Sequence, residues 1–140
     1  MLRWWKSNVE DPMARNNINI KLHLVSVFNK SNKPGPVFNE VARTAYHSGA
    51  DYFFRVNDDT ELTVNWANQF VRALQSLTPY TVGVVGPYCT VNSGILAHDF
   101  VSRMHMEIFD MVYYPTEFTD WYMDDWISHV RSYMYNEVSV

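Results

Sequence analysis

The pattern of apolar and polar positions predicts strands and helices that alternate along most of the chain. Residues 20–28 have the pattern of a strand that becomes apolar on both faces towards its end, and turn-forming residues follow it. A helix is predicted from Pro36 to the residues before Gly49, because proline favours the first turn and glycine the position past the last. Its apolar face comprises Phe38, Val41, Ala42 and Ala45. Residues 51–57 then form an aromatic and β-branched strand.

This order of strand, helix and strand predicts a βαβ unit. The crossover in such a unit is right-handed and its two strands are parallel. Because parallel strands end at the same edge of a sheet, we expect Asn29 and residues 57–59 to meet on one rim. The fold class predicted from the pattern is therefore α/β, with a parallel sheet.

Three helices and a strand are predicted in the second half of the chain. A helix over 64–77 ends before Pro79, and a buried strand lies within 81–87. Asp99 is predicted to cap a third helix, and residues 120–131 form a last one. The third helix is expected to bury Phe100, Val101, Met104 and Ile108.

Length and composition indicate one folded domain over residues 1–140, with a poorly defined polar segment at 1–19. The chain has 140 residues, of which 47% are hydrophobic, enough to form a core. The net charge of −4 and the absence of a basic run argue against nucleic acid as the main partner. The lone Cys89 cannot form an internal disulfide, and we predict that it is a small buried residue.

The apolar runs predict neither a membrane span nor a signal peptide. The longest uninterrupted runs are only a few residues, and the first six residues lack an apolar core. The compartment is therefore open, with the cytoplasm as the default.

The first candidate site follows the strand at 51–57, where Asn57, Asp58 and Asp59 stand together. Side chains alternate along a strand, but at its frayed end both carboxylates can reach one ligand. Two hard oxygen donors suit Mg²⁺ or Mn²⁺, which takes its other ligands from water and substrate phosphates. The alternative is a simple turn, since these residues also favour turns and helix caps.

The second candidate site is the pair Asp124 and Asp125, with three aromatic residues around it, Trp121, Tyr122 and Trp126. Partly desolvated carboxylates have raised pKa values, which suits a general base. Exposed aromatic faces beside carboxylates also suit sugar rings. The alternatives are that the acids complement a helix dipole and that the aromatic residues belong to the core.

The absence of several known motifs from the sequence argues against several common enzyme classes. His98 and His105 do not have the spacing of a metal box, and we predict that His105 is partly buried and hydrogen-bonded. His98 is a weaker candidate for the acceptor side of a cleft. The sequence has no Gly-x-Gly-x-x-Gly, Walker, Gly-x-Ser-x-Gly or Cys-x-x-Cys motif.

Taken in order, these motifs resemble the nucleotide-sugar half of GT-A glycosyltransferases, particularly the family 2-like ones. The resemblance covers roughly residues 18–131 and rests on five stretches in this sequence. They are Asn29, Pro34-Gly35-Pro36 with Asn39, Gly49-Ala50-Asp51-Tyr52, Asn57-Asp58-Asp59 and Trp121 to Ile127. Residues 92–109 also resemble the linking region of such enzymes. The resemblance implies a GT-A-like, mostly parallel sheet with flanking helices, in the Rossmann-like manner.

The resemblance implies transfer of a sugar from a nucleotide-diphosphate donor to a hydroxyl of a glycan, lipid or protein, with inversion. Asp59, together with Asp58, would bind Mn²⁺ or Mg²⁺. Asp125, with Asp124 as its close rival, would be the catalytic base. The remaining implied roles fall into two groups. Nucleotide-sugar binding falls to Asn29, Asn39, Asn57 and Asp58, and acceptor binding to Trp121, Trp126 and Asn92.

The sequence departs from the family pattern in two ways, and these departures lead to alternative functions. Asn57 stands where an Asp-x-Asp motif has its first acid, and the strand at 20–28 corresponds to the second or third of the fold. We therefore expect the domain to be N-terminally incomplete. The alternative function is a truncated or degenerate, non-catalytic module that binds carbohydrate or protein. A Mg²⁺ enzyme acting on phosphate esters ranks third.

Overall fold

The computed structural model describes residues 2–16, 18–57, 59–61, 66–87 and 94–134, and this part of the chain is mixed α and β. Helices pack on both faces of a small three-stranded antiparallel sheet. In chain order the elements are α1 (Leu2–Trp5), a π-helical turn (Lys6–Glu10), α2 (Asp11–Arg15), α3 (Pro34–His47), β1 (Tyr52–Phe54), α4 (Trp66–Gln75), β2 (Val84–Val85), β3 (Phe100–Ser102), α5 (Arg103–Ile108) and α6 (Met123–Met134). No helix among the described residues is long and apolar enough to cross a membrane.

The sheet has the order β1-β3-β2, and both pairings are antiparallel. Val101 in the central strand lies opposite Phe53 on one side and Val84 on the other. The prediction of a parallel βαβ unit is therefore wrong for the described residues. Residues 18–29 belong to no strand and to no helix. The alternating pattern predicts a strand here, but strand pairing depends on a partner that local sequence does not specify.

The core lies on both faces of the sheet because side chains alternate along each strand. Phe53, Val84 and Val101 face α3 and α6, and they pack with Ile127 of α6. Phe100 faces the other way, towards α4. The face of α4 that packs there comprises Phe70, Ala73 and Leu74, with Leu77 just beyond the helix. Each face of the sheet is thus covered by at least one amphipathic helix.

The prediction that this helix ends just before Gly49 is confirmed for α3. The helix starts at Pro34, two residues earlier than predicted. Gly49 has a φ of +88°, which glycine adopts without steric cost. Gly35 has another reason to be glycine, since a Cβ there would lie 2.5 Å from the carbonyl oxygen of Phe118. The start of α3 is therefore pressed against the loop that leads into α6.

The prediction that Asp99 caps a helix is wrong. Phe100 and the two residues after it form β3, and Ser102 caps α5 by accepting a hydrogen bond from the backbone N–H of Met104 at 3.2 Å. Phe100 and Val101 are buried as predicted, but Met104 and Ile108 are 37% and 50% exposed. The pattern failed because Phe100 and Val101 alternate across a strand. The helical period starts only after Ser102.

Candidate functional site

Arg55 lies at the centre of a buried polar network directly after β1. Its side chain is 7% exposed. Its Nε donates to Oδ1 of Asp99 at 2.6 Å, and its Nη2 donates to Oδ1 of Asp124 at 2.8 Å. The same Nη2 lies 3.3 Å from the carbonyl oxygen of Leu96. One guanidinium group therefore joins the end of β1, the residue before β3 and the first turn of α6.

Asp99 is the fully buried acceptor of this network, with a side chain that is 0% exposed. The hydroxyl of Tyr114 donates to its Oδ1 at 2.7 Å, and that of Tyr113 donates to its Oδ2 at 2.5 Å. With Arg55, three donors surround this carboxylate, which satisfies the rule that buried charges are paired and hydrogen-bonded. Among the described residues, no buried side-chain nitrogen or oxygen is left without a hydrogen-bond partner.

Burial and charge shift the pKa values of this network in consistent directions. Burial is the largest single influence on Arg55 and by itself lowers the pKa. The interactions with Asp99, Tyr114 and Asp124 together outweigh burial, so the pKa is raised and the guanidinium stays charged. Burial, with Asp99 as the next cause, raises the pKa of both Tyr113 and Tyr114. Both tyrosines therefore stay protonated and serve as donors.

Asp124 is the solvent-accessible member of the network around Arg55, with 37% of its side chain exposed. Burial raises its pKa above the ordinary value, and Arg55 works against this rise. Asp99 and Asp125 add to the rise through their negative charges. Its Oδ1 faces Arg55, and its backbone carbonyl accepts from the Ser128 hydroxyl at 2.5 Å. The result is a fixed carboxylate with a raised pKa at the surface, which is the environment suited to a general base.

The chain just before the first predicted acidic site contacts the second one through Arg55. Arg55 precedes Asn57 by two residues and contacts Asp124, from which 69 positions separate it. A second contact reaches the segment before β3, since Oγ1 of Thr60 and Nε2 of His98 lie 2.9 Å apart. The residues on either side of Asn57 therefore contact both the start of α6 and the segment before β3.

The aromatic residues predicted around the acids divide into surface and core. Trp121 and Tyr122 are 78% and 69% exposed. Trp126 instead packs against the core, with its ring centroid 5.2 Å from that of Phe109. Tyr122 has a φ of +70°, a strained conformation for a residue with a side chain, and strain of this kind clusters at functional sites.

The predicted nucleotide-sugar residues that the structure describes, Asn29, Asn39 and Asn57, differ in their environments. Asn39 is buried, and its Oδ1 accepts from the backbone N–H groups of Tyr113 and Tyr114 at 2.9 and 2.8 Å. This corrects its expected role, because the amide holds the tyrosine pair in position. Oδ1 of Asn29 accepts from the Lys33 N–H at 3.2 Å within an exposed turn. Asn57 is exposed.

The predicted metal ligands are only partly described. Asp59 is exposed in the turn after β1, where its carboxylate is open to a ligand. Asp58, Asn92 and Cys89 lie outside the described residues. Among the described residues, no three His, Cys, Asp or Glu side chains form a metal-binding group. One or two carboxylates still fit Mg²⁺ or Mn²⁺ when substrate phosphates complete the coordination.

Sequence analysis missed the residues that hold the site. The pattern predicts Asp99 as a helix cap and assigns no role to Tyr113 and Tyr114. One signal could have found Arg55, because a single cation within an aromatic run predicts a buried ion pair. The prediction that His105 is buried and hydrogen-bonded is confirmed: it is 5% exposed and its Nε2 lies 2.8 Å from the Tyr113 carbonyl oxygen.

Comparisons with known proteins identify no relative of this chain. No protein-family model matches it, and no match was found among the curated proteins or among the solved structures.

Proposed function

We propose that this chain is a metal-dependent glycosyltransferase domain that moves a sugar from a nucleotide-diphosphate donor to an acceptor hydroxyl. The observation that supports the proposal is the contact between Arg55 and Asp124, which links two acidic segments far apart in sequence. The proposal includes a GT-A-like fold, of which the described antiparallel sheet would be a part, and inversion at the anomeric carbon.

Asp124 is the better supported general base in this proposal, ahead of Asp125. Burial raises the pKa of Asp124, and Arg55 fixes its position. A raised pKa increases the driving force for taking a proton from the acceptor hydroxyl. Asp125 is exposed and lies in the first turn of α6, where an acid also complements the helix dipole.

The exposed Trp121 and Tyr122 offer an aromatic surface for the acceptor, two to three residues before the proposed base. Asp59 and Asp58 would hold Mn²⁺ or Mg²⁺, and that ion would stabilise the charge of the departing diphosphate. Trp126 has no direct part in this proposal, because its ring packs against the core.

Titration calorimetry with a panel of nucleoside diphosphates, with and without Mn²⁺, tests the donor site. We expect one nucleotide to bind only with the metal and Asp59→Asn to abolish this binding. Asp124→Asn should keep nucleotide binding and lose sugar transfer by roughly 100-fold or more. Asp125→Asn is the matched control and should change transfer much less. Intact metal-dependent binding in Asp59→Asn would refute the proposed metal site.

A second candidate function is a non-catalytic module that binds carbohydrate or protein. The apolar groove beside β1 favours it, because exposed apolar grooves commonly serve binding. A folded chain that binds no nucleoside diphosphate under any metal condition would select this candidate over the transferase.

A further inference from the structure

The outer edge of β1 has no partner strand among the described residues, because β1 stands at one end of the sheet. Its inner edge pairs with β3, and the Arg55 N–H donates to the Asp99 carbonyl oxygen at 2.9 Å. Hydrogen-bonded pairs alternate along an antiparallel ladder, so Tyr52 and Phe54 direct their backbone groups outward. An open edge of this kind is a template for another strand.

An apolar groove of about 410 Å³ runs along this open edge. One wall is the face of α3 with Val37, Val41 and Ala45, and the floor follows the chain from Tyr52 to Val56. Arg55 is the only ionisable cation in the lining, and its charge is directed towards Asp99 and Asp124. The groove therefore combines free backbone groups with apolar side-chain contacts, which is what an added β-strand requires.

Residues 18–28, here called segment 18–28, have the complementary character. Their apolar and polar residues alternate in the manner of a strand, yet they belong to no sheet and to no helix. Their large apolar side chains are solvent-exposed, to 62% at Ile20 and 83% at Phe28. Leu22 and Leu24 are 39% and 40% exposed, and they continue the alternation that starts at Ile20. So many exposed apolar side chains in one strand-like segment indicate an interaction surface.

We propose that segment 18–28 of a second copy of this chain pairs with the outer edge of β1, so that two copies exchange strands around a two-fold axis. The groove and the segment occur on the same chain, so each copy offers both halves of the contact. This self-complementarity is the defining property of a two-fold interface. Within one chain, segment 18–28 is exposed rather than seated in the groove.

The size of the exchanged surface agrees with a stable dimer. Segment 18–28 and the groove lining together come to about 20 residues per copy, at the lower end of standard-size interfaces. In a paired strand Lys21 would lie on the opposite face from Leu22 and Leu24. The contact with the apolar lining would therefore bury no unpaired charge.

Light scattering across a concentration series, with native mass spectrometry, tests the exchange on the full chain. We expect a concentration-dependent dimer. Leu24→Lys in the segment and Val41→Lys in the groove wall should each weaken dimerisation by at least about tenfold, since burying one such side chain contributes that much. His23→Lys, on the opposite face of the segment, and Tyr80→Lys, exposed and outside the groove, are matched controls.

Mixing the two defective variants separates strand exchange from other modes of dimerisation. Leu24→Lys keeps an intact groove, and Val41→Lys keeps an intact segment, so one of the two contacts can form in the mixed pair. We expect a heterodimer that is stronger than either homodimer. A chain that stays monomeric at all concentrations would overturn the proposal, whether or not segment 18–28 is protected from hydrogen exchange. A dimer that neither variant weakens would also overturn it.

Discussion

At the residue scale, the two carboxylates that pair with Arg55 differ in burial, and this difference sets their energetic roles. Asp99 is fully buried and accepts three hydrogen bonds, whereas 37% of the Asp124 side chain is exposed. Removing one partner of a buried pair leaves an uncompensated charge inside the protein. Near the surface, water replaces a lost partner. Asp99 is therefore the structural member of the network and Asp124 the accessible one.

We predict that Asp99→Asn destabilises the protein by roughly 3–5 kcal/mol, because the buried Arg55 guanidinium loses its compensating charge. Asp124→Asn should cost less than about 1 kcal/mol, because this pair is partly solvated. Urea unfolding of the two variants and the wild type measures both free energies. Equal losses in the two variants would contradict this division of roles.

His105 makes stability depend on pH. Burial is the main cause that lowers its pKa below the ordinary value of 6.5, so the unfolded chain binds the proton more readily than the folded chain does. Its contribution to stability is therefore complete above pH 6.5 and is lost as the pH falls through the folded-state pKa. The carbonyl oxygen of Tyr113 accepts from its Nε2, and Asp99 is the charged neighbour.

We predict that His105→Gln, which keeps an N–H donor, removes part of the stability loss below pH 6.5. The measurement is the free energy of unfolding by urea at several pH values between 5 and 8, the range in which histidine titrates. His23→Gln, at an exposed position, controls for removal of a histidine. The assignment fails if the two variants have the same pH profile.

At the element scale, the start of α3 is fixed to the loop before α6 by close backbone approach. The Gly35 N–H donates to the Thr119 carbonyl oxygen at 3.0 Å, and the Lys33 ammonium group lies 2.6 Å from the Asp120 carboxylate. The absence of a side chain at position 35 permits this contact. The loop in turn leads to Asp124, so the anchor of α3 helps to position the candidate base.

We predict that Gly35→Ala costs roughly 1–3 kcal/mol, because the added methyl group would overlap the Phe118 carbonyl oxygen and force the loop away. Urea unfolding gives the cost, and hydrogen exchange at residue 35 should be faster than in the wild type. Gly49→Ala is the contrasting variant. It meets no atom within 4 Å and should cost only about 1 kcal/mol through its positive φ.

At the scale of the whole molecule, one small sheet joins two apolar clusters. Val101 belongs to the cluster on the α3 and α6 side, and its neighbour Phe100 belongs to the cluster on the α4 side. Because adjacent residues of β3 serve both clusters, we expect the two sides to fold as one cooperative unit.

We predict that Leu74→Ala on one side and Ile127→Ala on the other each cost about 2–5 kcal/mol, the range for truncating a fully buried aliphatic residue. Both variants should lower the same single transition, measured by far-UV and near-UV circular dichroism during urea unfolding. Tyr80→Ala, at a position that is 63% exposed, is the control. Separate transitions in either variant would show that the two clusters unfold independently.

The sequence by itself determined features that depend on neighbouring residues. Proline in the first turn of α3, Gly49 after this helix and the apolar spacing of α4 specified the helices, because capping and helical periodicity act over a few positions. The burial of His105 and the aromatic strand β1 were predictable because they too depend on the types of residues nearby in sequence. Asp124 and Asp125 in the first turn of α6 were also apparent as candidate acids.

Only the tertiary structure decided how these elements meet. The direction of strand pairing, the open edge of β1 and the unpaired state of segment 18–28 depend on partners remote in sequence. The same holds for Arg55, which acquires its role from Asp99 and Asp124, 44 and 69 positions away. Hydrogen bonds and burial of this kind arise from long-range packing, and no local pattern of apolar and polar residues encodes which distant partner will be chosen.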